Sequence, residues 1–181
     1  MKEVYVFLIT GFEEIEALAT LDILRRGEVN VKSVSLTTEK TVVGSHQIPV
    51  VADLLFEEVD FKNAELLVLP GGTTNYNQHE GVKKEILDFA NQGNNVAAIC
   101  ASPMVLGGLG LLEGKNAISY PGFEQYLKGA TLVDQPVVVD GNIITGKGPG
   151  LTFDFALKLV EILAGKEKSD QVAKGLLLAN D

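Results

Sequence analysis

Apolar and polar positions along this chain switch repeatedly between short continuous apolar runs and helical spacing. Val4-Tyr5-Val6-Phe7-Leu8-Ile9 is an unbroken run rich in β-branched and aromatic residues. It predicts a strand buried on both faces, as in a parallel sheet. Thr10-Gly11 breaks it. Residues 13–26 predict a helix, with acids in the first turn, Arg25 and Arg26 in the last, and Gly27 as its stop. Ile15, Leu18, Leu21, Ile23 and Leu24 cover more of this helix than a one-sided surface helix needs, so a second face requires a cover. Residues 31–36 alternate as a second strand. Residues 41–51, with Gly44 and Pro49 inside, predict a short edge hairpin or irregular strand pair.

Leu66-Leu67-Val68-Leu69 predicts the next buried strand, ended by Pro70-Gly71-Gly72. A helix over residues 81–91 stops at Gly93. Val96-Ala97-Ala98-Ile99-Cys100 is another strand, and Pro103 suits the first turn of a helix running towards Leu112. Residues 137–145 carry the hairpin signal Asp140-Gly141-Asn142. Gly148-Pro149-Gly150 opens a helix to about Ala164, and a last helix fits residues 168–179. Alternating strands and helices predict an α/β class, a mostly parallel sheet with helices on both faces, in a single domain over residues 1–181. Such sheets bind ligands beyond the carboxyl ends of their strands. That directs attention to Thr10-Gly11, Pro70-Gly71-Gly72 and Cys100-Ala101-Ser102.

Charge and composition narrow the function. A formal charge of -9 repels phosphate backbones, so no nucleic-acid partner is expected. No apolar run reaches the ~18 residues of a membrane span, and the N-terminus lacks the layout of a signal peptide. One cysteine forms no intrachain disulfide, and a reducing cytoplasm is the default compartment. His46 and His79 have no partner at helical spacing, so no metal site is expected, and either would need a tertiary contact to pair with the thiol. The glycines form neither a phosphate loop nor a dinucleotide fingerprint.

Cys100 falls where a strand ends and a helix begins, with the small residues Ala98 and Ser102 two positions to either side. A nucleophile elbow has small residues at those offsets because the turn is tight. A helix N-terminus there favours a thiolate, which predicts a pKa below ~8.5. Glycines at 71 and 72 allow backbone N–H groups to turn inward as an oxyanion hole, or serve only a tight turn. Of Glu13, Glu14 and Glu16, at least two are expected only to complement the helix dipole on a solvated face, while one facing the sheet would exchange a proton with the thiol. Periodicity leaves open which one.

Gly11-Phe12-Glu13-Glu14-Ile15-Glu16, Leu69-Pro70-Gly71-Gly72, Ala97-Ala98-Ile99-Cys100-Ala101-Ser102-Pro103 and Gly148-Pro149-Gly150 occur in series. Together they resemble the ThiJ/PfpI family, most closely its protein deglycase/YajL branch, over essentially the whole chain. The resemblance implies a flavodoxin-like sandwich and a homodimer built largely from the first helix and the neighbouring edge region. It places the nucleophile at Cys100, its paired acid at Glu16 and the oxyanion amides at Gly72 and Ala101. Arg26 falls at the family's arginine near the dimer-interface pocket, where it or His46 would approach the partner's Cys100. It implies a cofactor-free enzyme acting on small reactive carbonyls or on glycated thiols and amines. The alternative is a redox-responsive chaperone or oxidative-stress sensor working through Cys100 oxidation. Tyr120 stands before Pro121 where the branch often has a histidine, and a phenol is a poor base at neutral pH. Ala101 stands where the PfpI-type peptidases have a histidine, which disfavours that activity.

Overall fold

Val4, Val6 and Leu8 point to one face of the first strand and Tyr5 and Phe7 to the other, and all five are fully buried. The sheet therefore has a core on each side, as the continuous apolar run requires. The computed structural model describes residues 2–178 of the 181. Its strands are β1 (Glu3–Leu8), β2 (Val31–Ser35), β3 (Thr41–Val43), β4 (Pro49–Val51), β5 (Leu54–Leu55), β6 (Ala64–Leu69), β7 (Asn95–Ile99), β8 (Asn116–Ala117), β9 (Thr131–Leu132), β10 (Val137–Asp140) and β11 (Ile143–Gly146). Its helices are α1 (Glu14–Arg26), α2 (Glu80–Asn91), α3 (Pro103–Gly108), α4 (Thr152–Ala164) and α5 (Lys166–Gly175).

Seven strands form the main sheet in the order β10-β11-β7-β6-β1-β2-β5. Every neighbouring pair is parallel except the β10–β11 hairpin at one edge. One core joins Val4, Val6, Leu66, Val68 and Ile99 to residues of α1, α4 and α5. The other joins Tyr5, Phe7, Leu67, Leu69 and Ala98 to residues of α2 and α3. This is the flavodoxin-like α/β arrangement. The chain runs from β1 outward through β2, then returns to lay β6 on β1's other side. The crevice beyond β1 and β6 is thus a topological switch point, where such sheets bind ligands.

Four sequence expectations change. Residues 41–51 do form a hairpin, but β3 and β4 pair only with each other, as a separate two-stranded ribbon. The helix after Cys100 has six residues instead of reaching Leu112. Gly107 lies against the Tyr126–Leu127 backbone, two consecutive glycines weaken the helix, and Gly110 at φ +76° turns the chain out. The last helix begins earlier, at Lys166, because Gly165 at φ +90° separates it from α4. It ends at Gly175, and Ala179 lies outside the described residues. The two-residue strands β5, β8 and β9 are too short to show a period. No helix among the described residues is long and apolar enough to cross a membrane.

Candidate active site

Strand β7 ends at Ile99, and the next residue turns sharply. Cys100 has φ +68°, a left-handed conformation that a non-glycine residue holds only where its surroundings enforce it. The Cys100 amide donates to the Gly146 carbonyl at 2.9 Å, and the Cys100 carbonyl accepts the Tyr120 amide at 2.8 Å. The Ser102 hydroxyl donates to the Pro70 carbonyl. The elbow is therefore held from three separate segments, two of which no sequence spacing discloses.

The glycines after β6 serve a close approach and not merely a turn. A Cβ on Gly71 would stand 2.6 Å from the Cys100 Cβ. Gly72, at φ +90°, has its open side against the Glu13 backbone and the Gly11 carbonyl. The backbone amides of Ala101 and Gly72 both act on the Cys100 sulfur, favouring its thiolate. The two residues assigned to oxyanion binding thus converge on the thiol.

Glu16 lies on the inward face of α1 and is 0% exposed. Its carboxyl lies against the Cys100 thiol and the Gly71 amide. Neither of its oxygens makes a hydrogen bond of standard geometry within the described residues. Burial, reinforced by the nearby Glu13 charge, pushes the Glu16 carboxyl up to about 8. Burial also raises the Cys100 thiol, to about 12, and the neighbouring Glu16 carboxyl adds to it. The two backbone amides pull the other way and are outweighed. The expectation of a depressed thiol pKa is thus reversed. The helix that was to supply the dipole is a turn and a half long, and the thiol is only 7% exposed. At neutral pH the pair rests as a thiol beside a largely protonated acid.

Glu13 and Glu14 are also buried, contrary to a solvated-face reading. Glu13 is the N-cap of α1, and its carboxylate accepts the Glu16 amide at 2.8 Å. Glu14 clamps the β3–β4 loop, accepting the His46 amide at 2.7 Å, the His46 ring Nδ1–H at 2.8 Å and the Ser45 hydroxyl at 3.1 Å. Burial would raise Glu14, but these donors prevail and hold it at about 2, while the Glu14 contact raises His46. Glu13, Glu14 and His46 bring ligand-type atoms within 4.8 Å of one another, a grouping the spacing did not reveal because it forms across the fold. Its oxygens already accept hydrogen bonds from protein groups.

The auxiliary residues fare differently. His46 meets Glu14 and not Cys100. His79 accepts the Val82 amide at 3.0 Å as the N-cap of α2, a helix-entry role. Tyr120 touches the elbow through its backbone, while the residue is 46% exposed and its ring lies over Gly148. Arg26 ends α1, ten residues beyond Glu16 and so about 15 Å along the axis. It pairs with Asp22 and lines a surface groove of about 590 Å³ with Leu18, Arg25 and Val51. Within one chain it is not brought to Cys100.

Comparison with known proteins agrees with this fold. Residues 2–162 match the DJ-1/PfpI family. Protein DJ-1beta of Drosophila melanogaster is 38% identical over 183 residues, covering 98% of both proteins, and its crystal structure superposes with a TM-score of 0.94, covering 99% of both chains. Protein DJ-1 homolog A of Arabidopsis thaliana is 41% identical over 98% of this chain, which spans 47% of that protein's length. Glutathione-independent glyoxalase DJR-1.2 of Caenorhabditis elegans is 35% identical over 172 residues, 92% of this chain and 91% of that protein. The structure of oxidized Toxoplasma gondii DJ-1 is 33% identical with a TM-score of 0.94, covering 99% of this chain and 100% of that one. With the family match over residues 2–162 and these relatives in agreement, the chain belongs to the DJ-1/PfpI family.

Proposed function

We propose that the protein is a cofactor-free enzyme that converts small reactive dicarbonyls, such as methylglyoxal, to hydroxy acids and acts on early glyoxal adducts of thiols and amines. One observation carries this reading: a thiol held at φ +68° has a buried carboxyl and two backbone amides as its neighbours. The Cys100 sulfur adds to the aldehyde carbon, its proton passing to the ionised fraction of Glu16, which hands it on to the new oxygen of the hemithioacetal and is free to act again. A carboxyl near 8 suits this task because it accepts and returns a proton close to neutral pH. The Gly72 and Ala101 amides stabilise the oxygen that becomes negative as the hemithioacetal forms. Glu16 next carries a proton from the former aldehyde carbon to the neighbouring ketone carbon. The first carbon is thereby oxidised to a thioester and the second reduced to an alcohol, with no external electron carrier. Water then hydrolyses the thioester, releasing the hydroxy acid and the thiol. The Caenorhabditis relative named as a glyoxalase supports the same chemistry.

A second reading, redox response through Cys100, is favoured by the same acid. A protonated Glu16 can donate to the oxygens of a sulfinate, and Cys100 has no second cysteine in the chain to form a disulfide with. Methylglyoxal loss at many equivalents of protein supports the enzyme. Reaction that stops at one equivalent overturns it in favour of the sensor.

The working form in this proposal is a cytoplasmic homodimer. Ile15 and Leu18 of α1 are exposed, and Leu18 shares a groove with the exposed Val51 of the β3–β4 ribbon, on the second helix face that the sequence left without a cover. α4 covers only another side of α1, where Val160 meets Gly27. Pairing through this patch would place Arg26 and His46 at the boundary between protomers.

A further inference from the structure

Three buried side-chain atoms among the described residues lack a hydrogen-bond partner: both carboxyl oxygens of Glu16 and the hydroxyl of Thr20. They lie four residues apart on α1, so they occupy one face on successive turns. Both residues are 0% exposed. A helical threonine commonly donates to the carbonyl four residues back, and Thr20 does not. One turn from Glu16 there is thus a hydroxyl without an acceptor, beside a carboxyl neither of whose oxygens has a well-formed hydrogen bond. Buried polar groups in folded proteins are nearly always paired.

We propose that Thr20 is a positioning residue for Glu16, its hydroxyl donating to the carboxyl directly or through one internal water. The bond fixes the carboxyl's rotation so that its other oxygen is presented to the Cys100 sulfur. The inference deepens the proposed reaction, since it gives the proton carrier a second-turn support, and it rests on Glu16 being that carrier. The other titratable groups acting around Glu16 are Glu13 at the helix N-terminus, Cys100 after β7 and Tyr76, whose hydroxyl donates to the Phe7 carbonyl at 2.8 Å. On α4, which packs on α1, Lys158 pairs with Glu161 at 2.8 Å.

The test follows Glu16 itself. In a Cys100→Ser background the residue at position 100 does not titrate, so ¹³C NMR of labelled glutamate reads the carboxyl alone. Thr20→Val keeps the shape and removes the donor, and should raise the Glu16 midpoint by about 0.5 to 1 unit, the equivalent of one hydrogen bond. Thr20→Ser restores the donor and should return the midpoint. An unchanged midpoint in folded Thr20→Val overturns the proposal and leaves Thr20 a packing residue. Should Thr20→Val not fold, a high-resolution crystal structure of the wild-type protein decides. Thr20 Oγ1 bonded to Glu16, or to a water shared with it, supports the proposal, and any other partner overturns it. Carbonyl turnover does not enter either measurement, so loss of this inference and loss of the proposed activity are separate results.

Discussion

Gly71 and Cys100 approach so closely that a methyl group on the glycine would lie 2.6 Å from the cysteine Cβ and 3.1 Å from the Ala101 amide nitrogen. The atoms it meets belong to a rigid elbow and cannot swing aside. Gly71→Ala should therefore displace the thiol from its two amides, cost about 1–3 kcal/mol in urea denaturation, and abolish turnover. Gly175→Ala, where a Cβ meets nothing within 4 Å, is the control and should leave both nearly unchanged.

Glu16→Gln separates thiol acidity from proton transfer. Burial, the largest influence on Cys100, remains, but the carboxylate charge that adds to its pKa is removed. The midpoint for iodoacetamide alkylation should fall from about 12 while methylglyoxal turnover drops by about 10²–10⁴. Stability gives a second signature. A carboxyl raised from 4.5 to about 8 favours the fold fully below 4.5, and that contribution is lost as pH rises through 8. The melting temperature of Glu16→Gln relative to wild type should climb over that window. A thiol midpoint that stays put or rises argues that Glu16 does not face the sulfur.

The Glu14–His46 clamp predicts a stability optimum in weak acid. Glu14 is lowered to about 2, so its contribution is present above 4.5 and lost as pH falls through 2. His46 is raised, so its contribution is present below 6.5 and lost as pH rises through its higher folded value. Both hold together between 4.5 and 6.5. Glu14→Gln leaves the ring only the more distant Glu13 carboxylate, at 3.7 Å, and should flatten the pH dependence of the melting temperature on both sides of that window. It should also speed hydrogen exchange at the Ser45 and His46 amides. Equal pH profiles for variant and wild type would remove the clamp.

Val51 tests the assembly. It is 71% exposed and lies beside Leu18 on the groove that Arg26 also lines. Light scattering should give about twice the 19.4 kDa of one chain for the wild type, and 19.4 kDa for Val51→Asp. A wild-type mass of 19.4 kDa excludes the dimer. A dimer in which Arg26→Ala and His46→Ala leave thiol titration and turnover unchanged keeps the assembly but removes those side chains from the chemistry.

The central sheet was legible because its strands are buried on both faces, and a short continuous apolar run such as Leu66-Leu67-Val68-Leu69, closed by Pro70-Gly71, fits little besides a core strand. The elbow was legible from the small residues around Cys100. The thiol's acidity was not, because it depends on how deeply a neighbouring carboxyl is buried, and burial is a property of packing. Nor were the roles of Glu13 and Glu14, since their partners include a loop some thirty residues away. Thr20 left no signal at all, being an ordinary polar residue within an amphipathic helix. Gly107 gave the opposite error: helical spacing continued past it, and the stop comes from the Tyr126 backbone pressed against it.

The bonds that hold Cys100 also set when its special environment comes into being. Its amide needs the Gly146 carbonyl, its own carbonyl needs the Tyr120 amide, and Ser102 needs Pro70, 32 residues away. Long loops must close before any of these form, so none of them exists in the unfolded chain. Until then Cys100 is an ordinary, solvent-exposed thiol that titrates near ~8.5. Folding withdraws it from water and raises it to about 12. A newly made or heat-damaged chain is thus more open to indiscriminate alkylation than a finished one, and the native state shelters the sulfur that its own chemistry requires.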